Sequence, residues 1–387
     1  MYDLIVIGAG PAGSMAARQA AQSGLKTLLL DKDQFPRAKP CGGGLTLRAL
    51  EFLASAGLRL PESVIERPLM GARITVAGRS VEVRKPWPVA VTVRRERFDS
   101  LLLHAAAAAG ARVDLGRRVE AVVQDGNGVT VSAGRESWTG RLAVIAEGAS
   151  GRLKRVVRPI NGERFWICVS TDSTLNGQVD DHGLMHIETG LTRTGYAWIF
   201  PRRDSASVGL SAMPGHCRGP RRILGGYLGG HGFDTDLPLR GHIVPLGGLK
   251  RRLAAGRVLL AGDAGGFADA FTCEGIAYAL LSGAAAGHAA ALALAHGDLD
   301  KEKDEAGELE RIYTDLCRPL LRQLRHSLLA LRIHDLLPAS LHQAILLDPG
   351  CLSAFLDVAA AKRGYPSFLA YIARRLPGLT LKALHGA

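Results

Sequence analysis

A chain of 387 residues has room for two or three domains with cores of their own, and 47% hydrophobic content with 47 glycines fits a globular α/β protein rich in tight turns. Its 48 basic against 36 acidic residues leave a net charge of +12, which suits an anionic membrane face or anionic substrate; no recognition motif or aromatic-interleaved basic run supports nucleic acid. Six cysteines, at 41, 168, 217, 273, 317 and 351, form no CxxC pair, which argues against a disulfide framework or iron–sulfur cluster and for a reducing compartment.

The chain enters an apolar strand at Tyr2–Ile7 with no signal-like segment ahead of it, so a cytoplasmic protein is expected. Gly8-Ala9-Gly10-Pro11-Ala12-Gly13 follows, then a helical pattern over 12–23 and a second apolar run over 27–30 that ends at Asp31 and Lys32. This is a βαβ opening. The first glycine permits the tight turn, the second lets the backbone approach a pyrophosphate, and the third lets helix and strand pack closely. The helix N-terminus then faces the phosphates, and Asp31 is placed to accept hydrogen bonds from a ribose diol. A lone GxGxxG is a weak signal; strand, helix, strand and acid together are a strong one.

Farther along, 45–56 reads as a helix, 72–93 as antiparallel strands, 97–109 as an Ala/Leu-rich helix, and 113–131 and 142–146 as strands closing at Glu147-Gly148. Residues 163–245 are strand-rich and carry Trp166, Tyr196 and Trp198. Val258–Leu260 leads into Ala261-Gly262-Asp263-Ala264-Gly265-Gly266, a second nucleotide-type turn far downstream of the first. A fold that binds only NAD has no use for it, whereas a flavin, whose ribityl chain and ring extend past the pyrophosphate, does. The apolar run Ile276–Ala295 nearly matches a membrane span in length, but its Ala and Gly content, with Ser282, Gly283 and His288, predicts a buried helix. Helices continue from 301 to the end. The interleaving predicts an α/β protein. Its Rossmann-like FAD-binding domain is built from 1–70, 94–162 and 246–300, its inserted, mostly antiparallel β-sheet substrate domain from 71–93 and 163–245, and its C-terminal helical region from 301–387.

Four stretches carry a family likeness: Phe35-Pro36-Arg37-Ala38-Lys39-Pro40-Cys41-Gly42-Gly43-Gly44; Arg95-Glu96-Arg97-Phe98-Asp99; Gly195-Tyr196-Ala197-Trp198-Ile199-Phe200-Pro201; and the Gly262-Asp263 segment. With the opening motif they resemble the flavin monooxygenase-type FAD fold and, within it, the geranylgeranyl reductase family, over residues 1–300. The resemblance implies FAD held by Gly8, Gly10, Pro11, Ala12, Gly13, Asp31, Lys32, Arg37, Cys41, Gly42, Gly43, Arg95, Gly262, Asp263, Glu274, Gly275 and Ile276. Asp263 would take the ribityl hydroxyls and Arg95 the phosphates or ribityl chain. The backbone over 272–276 would line the pyrimidine side, where helix-start N–H groups stabilise the anionic reduced ring. Cys41, Tyr196 and Trp198 are the implied catalytic residues, Cys41 beside the reactive edge with Arg37 and Lys39 adjacent. Plain packing stays open for Cys41 and for Trp198.

The chain departs from the family pattern at Ala270, usually Pro, and at Cys273, usually Gly, and it has Glu147-Gly148 where hydroxylase relatives carry Asp-Gly. Cys273 raises the possibility of a redox pair with Cys41. Asp180, His182 and His186 share a strand face but lack further ligands; they read as surface residues, and no metal is expected. GxSxG is absent, and the lysine setting and paired tryptophans of flavin halogenases are not evident. The expected activity is FAD-dependent reduction of isoprenoid double bonds, with NAD(P)H or ferredoxin as electron donor. The expected substrate is an apolar prenyl lipid, with peripheral contact on the inner membrane face. An FAD-dependent aromatic monooxygenase and a flavoprotein electron carrier to quinone are the alternatives.

Overall fold

The computed structural model describes residues 1–175, 183–295 and 305–384. In chain order the first elements are β1 (Tyr2–Ile7), α1 (Pro11–Gln22), β2 (Thr27–Asp31), β3 (Gly44–Thr46), α2 (Leu47–Ser55), β4 (Ile65–Leu69), β5 (Gly71–Val76) and β6 (Arg79–Arg84). There follow β7 (Ala90–Val93), α3 (Arg95–Ala108), β8 (Arg112–Leu115), β9 (Ala121–Asp125), β10 (Gly128–Ala133), β11 (Glu136–Ile145), β12 (Phe165–Thr174), β13 (Leu184–Thr189), β14 (Gly195–Pro201) and β15 (Ser205–Ala212). The last are α4 (Pro220–Gly230), β16 (Arg240–Pro245), β17 (Ala254–Ala255), β18 (Val258–Leu260), α5 (Ile276–Ala295), α6 (Glu305–Leu336), α7 (Ala339–Leu346), α8 (Pro349–Ala359) and α9 (Tyr365–Leu384).

These elements form two compact units. The first takes Met1–Ala38, Glu96–Arg164 and Pro245–Arg325. Its sheet runs β17-β18-β11-β1-β2-β8, parallel from β18 to β8, with the β9–β10 hairpin joined antiparallel to β11. The parallel strands are buried on both faces, which is why β1, β2 and β18 read as unbroken apolar runs. Register brings Ile7 opposite Leu30 and Ile145, and Ile145 opposite Leu260. The turns beginning at Gly8, Asp31, Ala146 and Ala261 therefore leave one edge of the sheet together, at the carboxyl ends where ligands bind in such folds.

Helix α5 is long and apolar enough to cross a membrane by composition alone, yet most of it is buried in this unit, as expected. Gly283 and Gly287 explain its placement. A Cβ on either would overlap the backbone carbonyl of Ala12 or Ala16, so only glycine lets α5 approach α1 this closely.

The second unit takes Lys39–Arg95, Phe165–Val244 and His326–Ala387. Its main sheet runs β16-β12-β15-β14-β13-β5-β6, antiparallel from β12 to β13 and between β5 and β6 but parallel at β13–β5, and a smaller sheet runs β3-β7-β4. One face of the main sheet presents Val169, Ala197, Ile199, Val208 and Leu210 to Leu224, Tyr227 and Leu228 of α4. Toward β5, Leu352 and Leu356 of α8 cover Ala72, Ile74 and Val76. The unit boundaries depart from those expected over 39–70. That segment lies in the second unit because β3 and β4 pair with β7. The C-terminal helices do not stand apart either; α6 begins in the first unit and the rest belong to the second.

Candidate active site

In the first unit the glycine turn is shaped by close backbone contact. Gly8 has φ +100, and a Cβ there would meet the Ala146 carbonyl oxygen at 2.5 Å. Gly10 caps α1 without a side chain, and Pro11 occupies the first helical position. The N–H groups of the first turn are thus left for an external acceptor. Asp31 is buried at the end of β2; its Oδ2 accepts from the Ala9 N–H at 2.5 Å and its Oδ1 from the Asp33 N–H at 2.8 Å. Its first task is therefore to brace the turn, with remaining lone pairs free to accept from a diol. Arg37 reaches over the turn, with Nη2 3.5 Å from the position a Gly10 Cβ would take and 3.3 Å from Oδ2 of the fully buried Asp99. Asp99 was not predicted as a site residue; a buried carboxylate only discloses its guanidinium partner in three dimensions.

The Gly262–Gly265 turn comes to the same place. Gly262 has φ +59, and a Cβ there would lie 2.8 Å from that of Ala12, so the turn sits against the start of α1. The Gly262 N–H donates to Ser282 Oγ at 3.0 Å. Asp263 Oδ1 lies 3.2 Å from the Cβ position of Gly275, at the start of α5. Arg158 supports the turn from behind, donating to the carbonyls of Ala264 at 2.9 Å and Gly265 at 3.4 Å.

The loop between this turn and α5 is organised by Asp269, which the sequence reading did not single out. It is buried, and its Oδ1 accepts from the N–H groups of Phe271 and Thr272, both at 2.9 Å. Its carbonyl and N–H close the loop through Cys273 and Glu274 at 3.1 and 2.8 Å. The legible sign is an Asp able to accept from the N–H groups two and three residues on, an Asx turn. Cys273 holds φ +59, a left-handed conformation that explains why glycine is usual there. Glu147 is held by the Leu153 N–H at 2.5 Å, and burial raises its pKa, partly offset by the N–H groups of Leu153 and Lys154.

An uncapped helix start, an arginine above it, an acid at the end of β2 and a second acid at the start of α5 fit a flavin dinucleotide. Gly8, Gly10, Pro11, Ala12, Gly13, Asp31, Lys32, Arg37, Gly262, Asp263, Glu274, Gly275 and Ile276 all belong to this first unit.

The second unit holds Cys41, Gly42, Gly43, Arg95, Tyr196 and Trp198. Tyr196, Trp198 and Phe200 alternate along β14 and so share a face, with ring centroids 6.2 and 6.1 Å apart. Across the ladder they stand opposite Ser211, Gly209 and Ser207 of β15. Large rings over small residues make a flat floor. The Trp198 indole N–H donates to Ser207 Oγ at 3.3 Å, and that hydroxyl donates to the Cys41 carbonyl at 3.5 Å. Gly43, at φ +74, fits against the Val93 carbonyl, and its N–H reaches Cys41 Sγ at 3.4 Å. Cys41 and Trp198 are thereby joined through Ser207. His242 of β16 adds a neutral imidazole: burial, then the charges of Lys39 and Arg95, lower its pKa from 6.5 to about 4, and its Nδ1 has no hydrogen-bond partner.

One expectation changes. His186 lies buried on β13 rather than on the surface, while Asp180 and His182 fall outside the described residues. Among the described residues no cluster of three or more His, Cys, Asp or Glu is arranged to hold a metal. All six cysteines are free thiols.

Comparison with known proteins agrees with this geometry. A family model described as "FAD binding domain" matches residues 1–156. The digeranylgeranylglycerophospholipid reductase of Methanocella arvoryzae is 30% identical over 325 residues, covering 77% of this chain and 79% of its own. The menaquinone reductase of Mycobacterium tuberculosis is 30% identical over 310 residues, covering 73% and 74%. A geranylgeranyl bacteriochlorophyll reductase-like structure from Thermoplasma acidophilum superposes with a TM-score of 0.81 at 22% identity, over 96% of this chain and 98% of that one, and shows the same fold. The chain belongs to the geranylgeranyl reductase family of FAD-dependent oxidoreductases.

Proposed function

We propose that this enzyme saturates isoprenoid double bonds in a prenyl lipid. The observation that carries the reading is the floor of Tyr196, Trp198 and Phe200, tied through Ser207 to the Cys41 loop. An apolar chain needs a wall without charge, and this face offers the partly exposed rings of Tyr196 and Phe200, with Trp198 buried between them. Bound and reduced, FAD would supply the hydride to one alkene carbon. The other carbon needs a proton, and an isolated alkene is a poor electrophile, so proton delivery and exclusion of water carry much of the barrier lowering. Cys41 and Tyr196 are the donors: the Gly43 N–H holds Cys41 Sγ in place at 3.4 Å, and Tyr196 stands on the same floor. NAD(P)H or ferredoxin would supply the electrons for the next cycle.

The names of the relatives support a prenyl lipid, either a digeranylgeranyl phospholipid or a quinone. Incubating the reduced holoenzyme with a panel of both, followed by mass spectrometry, tests the reading. A gain of two hydrogens per cycle on the prenyl chain is expected. A gain of oxygen would instead mark a monooxygenase, and an unchanged carbon skeleton with oxidised flavin an electron carrier to quinone. If Cys41→Ala and Tyr196→Phe both left prenyl reduction intact, the donor assignment would be wrong.

A further inference from the structure

Five of the seven large apolar side chains that stand exposed among the described residues lie near the ends of two helices of the second unit. They are Leu329, Ile333 and Leu336 on α6, and Leu381 and Leu384 on α9. Leu336 is 84% exposed and Leu384 75%, values at which an aliphatic side chain stands mostly in solvent. At helical spacing Leu329, Ile333 and Leu336 form one stripe roughly 60° wide, and Arg332 borders it. Arg374, seven residues before Leu381, shares that residue's face on α9. Neither arginine has an ion pair among the described residues.

The nearby carboxylates are all engaged. Asp335 lies off the α6 stripe, and its Oδ1 sits 3.3 Å from His334 Nδ1 and 3.4 Å from the Thr194 hydroxyl. Asp348 is paired with Arg375 at 2.9 Å, and Asp357 with Lys85 at 2.6 Å. What remains on both helix ends is apolar surface edged by unpaired positive charge, on a chain of net charge +12.

We propose that the ends of α6 and α9 dock this protein on an anionic lipid bilayer. Leu329, Ile333, Leu336, Leu381 and Leu384 would enter the headgroup boundary, and Arg332 and Arg374 would meet anionic headgroups. A second copy fits less well, since a two-fold contact centred on the α6 stripe would bring two unpaired Arg332 side chains together. The inference deepens the prenyl-lipid reading by naming the surface across which such a substrate leaves its membrane.

The full-length, FAD-loaded protein is sedimented with vesicles of phosphatidylcholine alone and of phosphatidylcholine mixed with phosphatidylglycerol. Binding to the mixed vesicles is expected, weakening as salt rises. The double variant Ile333→Glu/Leu336→Glu should bind them roughly tenfold or more weakly, and Arg332→Gln should lose affinity for the anionic vesicles only. Leu381→Glu/Leu384→Glu repeats the test on α9 should the first variant fail to fold, which flavin absorbance and melting temperature report. Wild-type binding by both double variants would overturn the proposal. So would a wild-type dimer, split by the α6 variant, that never binds vesicles; the face would then join two copies of this chain. Vesicle binding without reduction of any prenyl lipid would leave docking intact and sink the catalytic reading instead.

Discussion

Trp198 lies across Gly209 on the neighbouring strand, closer to the glycine backbone than a methyl group would allow. Gly209→Ala must therefore move the indole, which also strains its bond to Ser207 and the link to Cys41. The expected cost is about 1–3 kcal/mol of overpacking, read as a lower melting temperature. Prenyl reduction should fall more than FAD content, because the turns at Gly8 and Gly262 belong to the other unit. Loss of FAD with unchanged turnover per bound flavin would contradict this.

Asp269 is expected to control flavin affinity through the loop before α5. Asp269→Ala removes a charged acceptor from two backbone N–H groups, each such bond contributing about 1.5–3 kcal/mol. FAD titration followed by flavin fluorescence should show the dissociation constant rise roughly tenfold or more. Asp269→Asn, which keeps the Oδ1 acceptor, should recover most of it. Equal defects in both variants would mean the charge, and not the turn, is what matters.

Cys273 occupies a backbone conformation that side chains resist. Cys273→Gly should stabilise the protein by about 1 kcal/mol, detectable as a higher melting temperature at full flavin loading. Turnover should be unaffected if Cys41 acts alone. A loss of turnover matching that of Cys41→Ala would instead establish the redox pair.

The acid side of the stability profile should carry the mark of His242. Folded, its imidazole stays neutral down to about pH 4, because burial and then the charges of Lys39 and Arg95 oppose protonation; unfolded, it takes up a proton near 6.5. Between those values the unfolded chain binds more protons, so stability falls as pH drops, by up to about 3 kcal/mol at the acid end. His342, lowered to about 4 by burial and then by His334, steepens the same slope. Above pH 6.5 neither contributes. Urea midpoints at pH 7 and pH 5 should differ less in His242→Gln than in wild type; identical differences would exclude the assignment.

The parts legible in the sequence were those fixed by short-range geometry. The turn at Gly8, the apolar strands around it and the buried character of α5 all follow from local pattern. Segment 39–70 reads in the sequence as part of the nucleotide-binding domain, because the β3–β7 and β4–β7 pairings are long-range and leave no periodic trace. Helix α4 was hidden inside a strand-rich stretch by Gly225, Gly226, Gly229 and Gly230, poor helix formers overruled by packing on the sheet. Ser207 and Asp99 are site residues only through their partners, Trp198 and Arg37. Asp99 lies in a stretch that carries the family likeness, but its pairing with Arg37 is not written there, and nothing in the one-dimensional chain marks Ser207.

Helix α1 begins at a glycine with no capping side chain, followed by a proline with no N–H to offer. The helix is completed by its nucleotide, so the cofactor is a structural part of the protein as well as its reagent. Folded abundance should then follow vitamin supply, because a ligand that binds only the folded chain stabilises it by mass action and spares it from proteases. Under riboflavin starvation the protein should turn over faster at unchanged synthesis, which a pulse-chase measurement would read directly.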